Sequence, residues 1–106
     1  MLSFASSVRI LIGIKPVDMR KGVDGLCQLA EAELGGDIYS GAVFVFLSRR
    51  RDKIKILTWD TGGFVVLYKR LEAGQFKMPR VGDADKVCRL EATQLTMLLR
   101  GIDLSR

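Results

Sequence analysis

Residues 42–70, AVFVFLSRRRDKIKILTWDTGGFVVLYKR, decide the fold of this chain. The run from 42 to 47 is continuously apolar, which is typical of a central strand covered on both faces. Residues 54–59 and 64–69 have the composition of two further strands, and residues 60–63 (DTGG) form a strong turn signal between them. The stretch therefore predicts a β-meander, with three consecutive arginines in the loop between its first two strands.

A strand and a helix are predicted before the meander. Residues 8–14 are rich in β-branched side chains and predict a strand that Pro16 ends. Asp18 then occupies the position of a helix N-cap, and Gly35-Gly36 ends that helix. Apolar residues between these limits follow the spacing of one buried helical stripe: Met19, Val23, Leu26, Cys27, Ala30 and Leu34.

The C-terminal part predicts one short strand and one more helix. Residues 79–86 are polar and predict an irregular segment, and residues 87–90 predict an edge strand. The last helix ends at Gly101 and has one apolar face, formed by Ala92, Leu95, Leu98 and Leu99. The order β-α-β-β-β-(β)-α predicts an α+β fold, a mostly antiparallel four- to five-stranded sheet with two helices packed on one face.

Composition excludes several classes of function. The length of 106 residues fits a single domain over 1–106. The chain carries 17 Lys and Arg against 12 Asp and Glu, which gives a net charge of +5. Histidine is absent, which excludes Ser-His-Asp and Cys-His catalysis and histidine-ligated metals within the chain. The two cysteines, Cys27 and Cys88, make neither a zinc site nor a disulfide framework, so reduced thiols are expected. The sequence has no apolar run long enough to span a membrane and no secretory signal, so a cytoplasmic protein with no membrane partner is expected. No cofactor is expected either.

The register of the hairpin over residues 53–70 decides what its two faces carry. An even-numbered loop pairs Trp59 with Phe64, Leu57 with Val66, Lys55 with Tyr68 and Lys53 with Arg70. One face then carries residues suited to a core: Ile54, Ile56, Thr58, Val65 and Leu67. The other face interleaves rings with cations, an arrangement that suits nucleic acid because bases stack on rings while phosphates pair with Lys and Arg.

Two alternatives to this arrangement remain open at the level of sequence. An odd-numbered loop would shift the pairing by one residue and mix the two sets of side chains. A second possibility places Trp59 and Phe64 under a helix, with the long cationic side chains reaching outward to solvent.

The basic charge is concentrated in the middle of the chain. Residues 42–80 contain nine Lys and Arg against three acidic residues, and the three consecutive arginines are the densest run. A cluster of cations on one loop can bind phosphates. The alternative is a solvated loop tip, which the charge alone slightly favours. The predicted DNA-binding residues are Arg49, Arg50, Arg51, Lys53, Lys55, Trp59, Tyr68, Lys69 and Arg70.

A second anion-binding site is predicted at Arg20 and Lys21. Cations in the first turn of a helix oppose its macrodipole, and an anion bound at the free amides of that turn would remove the conflict. The alternative is that Asp18 caps the helix and neutralises Arg20. Asp18, Asp60 and Glu72 are the acidic residues that a metal-dependent nuclease could use, but their spacing marks no metal site, and no catalytic residue is assigned.

The chain resembles the small TnpB-type accessory protein, the product of the second open reading frame, of bacterial insertion sequences of the sixty-six family. The motifs that carry the resemblance are collinear over nearly the whole chain: DMRKG (18–22), SGAVFVF (40–46), KILTWD (55–60), GF (63–64), YKRLE (68–72), GQF (74–76), QL (94–95), LL (98–99) and GID (101–103). Residues 37–39 read DIY where the family usually has Asp-Pro-Phe. The resemblance implies a protein that works beside a separate, larger transposase, which is the strand-cleaving enzyme.

Together these observations predict a non-catalytic accessory protein of DNA transposition that binds DNA, at the ends of its element, through a basic and aromatic hairpin surface. The alternative is an adaptor that docks on the transposase without contacting DNA. Trp59, Phe64 and Phe76 are the expected anchors of such an interface.

Overall fold

The fold consists of one five-stranded sheet and two helices, seen in a computed structural model that describes residues 7–78 and 86–101. Most of the predicted irregular segment at 79–86 lies outside these residues. The elements are β1 (Ile10–Gly13), α1 (Val23–Glu33), β2 (Val43–Leu47), β3 (Lys53–Asp60), β4 (Gly63–Arg70), β5 (Val87–Leu90) and α2 (Ala92–Leu99). The predicted α+β class and order of elements are confirmed.

The strands lie in the order β4-β3-β2-β1-β5. The β2-β3-β4 meander is antiparallel, and β5 pairs antiparallel with the other side of β1. The pair β1 and β2 is parallel, with Ile10 opposite Val43 and Ile12 opposite Val45, because α1 carries the chain back to the starting edge. The sheet is thus mostly antiparallel, with one βαβ unit inside it.

Strand β2 is the centre of the molecule, since all five of its residues are buried. Alternate residues of β1, β2 and β3 enter two separate cores. The core that includes α2 contains Ile10, Ile12, Val43, Val45, Leu47, Ile54, Ile56, Leu95 and Leu98, along with Phe76, Met78 and Leu90. The core that includes α1 contains Leu11, Leu26, Cys27, Ala30, Leu34, Ile38, Ala42, Phe44, Phe46 and Leu57.

The prediction that both helices pack on one face is therefore wrong, and each helix covers its own face. The physical reason lies in the strands, because β1 and β2 are apolar at every position and not at alternate positions. A sheet that is apolar on both sides needs a covering layer on both sides.

The start of α1 also differs from the prediction. The helix N-cap is Gly22, and Asp18 instead organises a turn four residues earlier. The Arg20 amide donates to Asp18 Oδ1 at 2.9 Å, and the Lys21 amide donates to the Asp18 carbonyl at 3.1 Å. An aspartate side chain that binds the amide two residues onward stabilises a turn with the same local chemistry as a helix cap.

The hairpin register is confirmed at all four predicted pairs, from Trp59 opposite Phe64 to Lys53 opposite Arg70. Pairing continues to Asp60 opposite Gly63, so each strand is longer than predicted and the loop contains two residues. Gly62 adopts a φ of +84° in this loop, a conformation that glycine reaches without steric cost.

Gly36 provides a test of this packing, because a Cβ at this position would overlap the ring of Phe44. Phe44 is fully buried in the core that includes α1, so its ring can move only by displacing other core side chains. We expect Gly36→Ala to lower the free energy of unfolding by about 1 to 3 kcal/mol, the usual cost of overpacking a core. Chemical denaturation measures this change.

Gly63→Ala is the matched control, since a Cβ at Gly63 meets no atom within 4 Å. It should change the stability by less than about 0.5 kcal/mol, as surface substitutions usually do. Equal stability of the Gly36 and Gly63 variants would contradict the packing around Phe44.

Candidate nucleic-acid interface

The three-arginine loop between β2 and β3 is held in shape by backbone and serine contacts. The Ser48 amide donates to the Lys53 carbonyl at 3.0 Å, and the Arg51 amide donates to the Ser48 carbonyl at 2.9 Å. The Ser48 hydroxyl donates to Asp52 Oδ1 at 3.1 Å and accepts the Lys53 amide at 3.1 Å. Ser48 is the one buried polar residue among the described parts of the chain, and it ties both ends of the loop together.

A second set of contacts binds the loop to the segment after β4. Gln75 Nε2 donates to the Arg50 carbonyl at 2.8 Å, and the Phe76 amide donates to the Arg51 carbonyl at 2.6 Å. The Leu71 amide donates to the Asp52 carbonyl at 2.7 Å. Because Phe76 is buried in the α2-side core, the loop is anchored to the interior of the protein.

The arginine side chains of this loop face solvent. Arg49, Arg50 and Arg51 are all exposed, and over residues 7–78 and 86–101 no hydrogen bond or ion pair occupies their guanidinium groups. Arg51 has a φ of +58°, a left-handed conformation that is uncommon outside glycine. The loop therefore presents three cations from a backbone that is fixed by seven hydrogen bonds.

The cations of the hairpin itself are partly engaged by the protein. Lys53 pairs with Asp52 at 3.2 Å, and Arg70 pairs with Glu72 at 3.0 Å. Burial opposes ionisation of Asp52, but hydrogen bonds from Lys53 and Ser48 outweigh it and leave the pKa of this carboxyl below its usual value. These two cations carry less uncompensated charge than the arginine loop.

Lys55 and Tyr68 form a cross-strand pair on the same side of the sheet as α1. The Lys55 ammonium lies 5.6 Å from the centre of the Tyr68 ring and donates to the Lys21 carbonyl at 2.9 Å. Tyr68 is 53% exposed, so its outer ring surface is open to solvent. The pair places a cation and an accessible ring side by side, beside the turn that precedes α1.

Lys69 is the predicted site residue that the structure does not bring to this face. Side chains alternate along β4, so Lys69 lies on the α2 side while its neighbours Tyr68 and Arg70 lie on the α1 side. Its ammonium donates to the Leu99 carbonyl at 2.6 Å, at the C-terminal end of α2. A cation there satisfies a terminal carbonyl and complements the helix dipole.

An aromatic cluster of Tyr39, Trp59 and Phe64 occupies the other end of the hairpin. The Trp59 ring centre lies 5.0 Å from that of Phe64 and 5.2 Å from that of Tyr39, and both contacts are edge-to-face. Trp59 and Phe64 are half-buried, and Tyr39 is 62% exposed. The indole thus packs against two other rings and remains part of the surface.

Sequence reasoning missed Tyr39, because it follows α1 and meets the hairpin only in the folded protein. The one available signal was the resemblance at residues 37–39, where the family usually has an aromatic residue at the same position. In the structure the Asp37 carboxylate accepts the Tyr39 amide at 2.9 Å and so shapes the turn that places this ring.

Asp18 and Arg20 form an ion pair in the turn before α1. Arg20 Nη2 donates to Asp18 Oδ2 at 2.8 Å, and Arg20 Nε donates to the same carboxylate at 3.1 Å. These bonds lower the pKa of Asp18 to about 2. Arg20 is therefore neutralised by Asp18, while Lys21 is exposed, and an anion-binding role for the two cations stays a prediction.

The other chemical groups of the chain offer little reactivity. Among residues 7–78 and 86–101, His, Cys, Asp and Glu side chains form no group of three or more that could hold a metal ion. Burial raises the pKa of the Cys27 thiol, which disfavours the reactive thiolate. In this same part of the chain no helix has the length and apolar character that crossing a bilayer requires.

Comparison with known proteins adds the family. The profile of the IS66 Orf2-like proteins, also named TnpB, matches residues 8–106. The chain belongs to the IS66 Orf2-like family. It is thus an accessory protein of the transposition of insertion sequences, as the resemblance implied.

Two proteins of Sinorhizobium fredii are similar to this IS66 Orf2-like protein over almost its whole length. The uncharacterized protein y4jC is 33% identical over 106 residues, which cover 100% of this chain and 89% of y4jC. The uncharacterized protein y4hO is 31% identical over 103 residues, which cover 97% of this chain and 88% of y4hO. No solved structure matches this chain.

The Asp18–Arg20 pair of this IS66 Orf2-like protein leads to a pH-dependent prediction. Because the folded pKa is lower than the unfolded one, the pair stabilises the turn above about pH 4 and this contribution is lost as the pH falls towards 2. Arg20→Gln should return the pKa of Asp18 towards 3.8, as measured by NMR titration of its carboxyl carbon. An unchanged pKa in the variant would show that Arg20 does not hold the carboxylate.

The aromatic cluster can be tested by fluorescence, since Trp59 is the single tryptophan of the chain. Removing the Tyr39 ring exposes the indole edge, so Tyr39→Ala should shift the tryptophan emission to longer wavelength. Tyr68→Ala is the control, because Tyr68 lies outside the cluster, and its emission maximum should match that of the wild type. Identical spectra for the two variants would rule out the cluster in solution.

Proposed function

We propose that this protein binds DNA through the arginine loop and the adjoining α1-side face of the β3–β4 hairpin. The observation that carries the proposal is the loop itself, with three exposed guanidinium groups on a fixed backbone and no ion pair to any carboxylate in the described parts of the chain. Guanidinium groups bind phosphate oxygens in a bidentate way, and a fixed loop loses little entropy on binding. DNA phosphates are the polyanion that an accessory protein of transposition meets.

The hairpin extends this surface away from the loop. Lys53 and Arg70 face each other at its first cross-strand pair, and the Lys55–Tyr68 pair follows two positions along. Lys53 and Arg70 keep partial ion pairs, which DNA phosphates would replace at modest cost because exposed pairs contribute little. The open face of Tyr68 offers stacking area to a sugar or an exposed base. Lys69 lies on the opposite face, and we place it outside the DNA surface.

Binding through phosphates predicts a steep dependence on salt. If about five phosphates are neutralised, the logarithm of affinity should fall with the logarithm of salt concentration at a slope of about −4 to −5. Replacing Arg49, Arg50 and Arg51 together by alanine should reduce the slope by about 3, one for each lost contact. Fluorescence anisotropy titrations at several salt concentrations, on element-end and unrelated duplexes, measure the slope and any sequence preference.

Lys69→Gln is the matched control for these titrations. Glutamine retains a donor for the Leu99 carbonyl while the positive charge is removed from the α2 face. Its salt slope should equal that of the wild type. A triple arginine variant with an unchanged slope would remove the loop from the interface.

An adaptor that docks on the transposase is the second candidate, and the aromatic cluster is the observation that favours it. Rings that are partly exposed and packed edge-to-face are typical anchors of protein interfaces. Of the three expected anchors, Trp59 and Phe64 reach this cluster, joined by Tyr39. Phe76 cannot serve as an anchor, since it is 1% exposed and belongs to the core.

The two candidates separate in a pull-down with the transposase. Capture that persists at high salt and after nuclease treatment, and that Tyr39→Ala weakens, supports the adaptor. Capture that nuclease abolishes supports DNA as the bridge between the two proteins.

The proposal also assigns no catalytic step to this chain. Purified protein should leave element-end DNA intact with Mg²⁺ or Mn²⁺ present, as judged by nicking of a supercoiled plasmid. Nicking that Asp60→Ala abolishes would overturn the non-catalytic role and identify a metal-dependent nuclease.

A further inference from the structure

A crevice of about 710 Å³ opens beside the arginine loop, between the turn after β1 and the helix α1. Its backbone rim is built by three hydrogen-bonded segments. The Val17 amide donates to the Leu47 carbonyl at 2.9 Å, which fixes the turn against the end of β2. The Ile14 amide donates to the Lys86 carbonyl at 3.1 Å, which fixes the start of β5 at the same rim.

The position of the crevice follows from the parallel pairing of β1 and β2. Parallel strands end at the same edge of a sheet, so the loops that follow them meet there. In sheets with such βαβ units, ligands bind in the crevice outside the carboxyl ends of the strands. Strand β5 runs antiparallel to β1 and so adds its first residues to this edge.

The lining of the crevice is cationic. Four cations from three segments line it, Lys15, Lys21, Arg49 and Lys86, against the carboxylates of Asp18 and Glu33. Four cations and two carboxylates leave two positive charges, and the Asp18 carboxylate is already held by Arg20 outside the lining. The crevice therefore carries the charge that a dianionic phosphate monoester needs.

The remaining lining is apolar, with Ile14, Val17, Leu29, Leu34 and Phe46 among its residues. Cations beside an apolar wall match a ligand with two unlike parts, an anionic head and a flat or apolar body. A nucleotide has this construction, with its phosphate at one end and its base at the other. The volume lies within the range of about 300 to 1,000 Å³ of ordinary ligand sites.

We propose that this crevice binds a terminal nucleotide through its 5′-phosphate. The inference rests on the proposed function and deepens it, because a strand end would enter the crevice while the arginine loop holds the internal phosphates. Arg49 belongs to both surfaces and joins them. The same chemistry is present in a free mononucleotide, and the experiment distinguishes the two sources.

The first measurement compares two short 3′-labelled oligonucleotides of one sequence, with a 5′-phosphate or a 5′-hydroxyl, by fluorescence anisotropy. The wild type should bind the phosphorylated strand about tenfold more tightly, the effect of about one charge-assisted contact. The double variant Lys15→Gln/Lys86→Gln should lose this preference and keep its affinity for the hydroxyl strand within about twofold. Both lysines are exposed, so the fold should tolerate the change.

Arg50→Gln is the matched control, because Arg50 is an exposed cation of the same loop that does not line the crevice. It should weaken binding of both strands by the same factor and retain the preference for the phosphate. A preference that the lysine variant keeps and the Arg50 variant loses would overturn the crevice as its origin.

The second measurement is calorimetric titration with a deoxynucleoside 5′-monophosphate, with the unphosphorylated deoxynucleoside as its control. Monophosphate binding that the lysine variant abolishes supports the crevice and identifies free nucleotides as sufficient ligands. A preference for the phosphorylated strand without monophosphate binding supports the crevice and identifies the strand end as the ligand.

The outcomes also separate this inference from the proposed function. Equal affinity for the two oligonucleotides, without monophosphate binding, overturns the crevice and leaves DNA binding by the loop in place. Monophosphate binding without affinity for either oligonucleotide, or for the element-end and unrelated duplexes, overturns DNA binding and leaves the crevice in place. Failure to bind any of these probes overturns both.

Discussion

The burial of β2 on both faces is the constraint on which the rest of this structure depends. A strand with no exposed residue needs a neighbour on each side and a covering layer above and below. The neighbours are β1 and β3, and the layers are α1 and α2. With the centre occupied by aliphatic and aromatic side chains, the polar side chains of strands β1 to β4 are confined to the strand ends and to the outer hairpin.

This confinement concentrates positive charge at one end of the sheet. The parallel β1 and β2 both end there, and the antiparallel β3 begins there, so the turn before α1 and the arginine loop are neighbours. Strand β4 returns to the same end and brings Arg70 opposite Lys53. Topology thus gathers cations that are up to about 70 residues apart in sequence, from Lys15 to Lys86, because each lies where a strand starts or stops.

Local and periodic signals in the sequence predicted much of this arrangement. The length of the loop determined the hairpin register. Because side chains alternate between the two faces of a strand, an even or an odd number of loop residues decides which side chains share a face. The same alternation places Lys69 on the opposite face from Tyr68 and Arg70. Counting the charges of the hairpin does not show this separation. The start of α1 was misplaced because an aspartate stabilises a turn and a helix cap through the same type of bond.

Features that depend on tertiary contacts could not be predicted in this way. Tyr39 joins Trp59 across 20 residues, and no local pattern pairs them. Phe76 follows a stretch of polar and small residues and yet lies in the core, where its amide bonds the arginine loop, a contact between residues 25 apart in sequence. The parallel β1–β2 pair, which creates the crevice, depends on the path of α1 and not on the composition of the strands.

The left-handed conformation of Arg51 has a consequence for engineering this protein. A side chain at a positive φ costs on the order of 1 to 3 kcal/mol, which glycine or asparagine would largely avoid. Selection for thermal stability alone would therefore favour a neutral residue at this position and remove one charge from the loop. Stability and positive charge therefore place opposite demands on position 51. The arginine found there keeps the charge of the loop and gives up part of the stability.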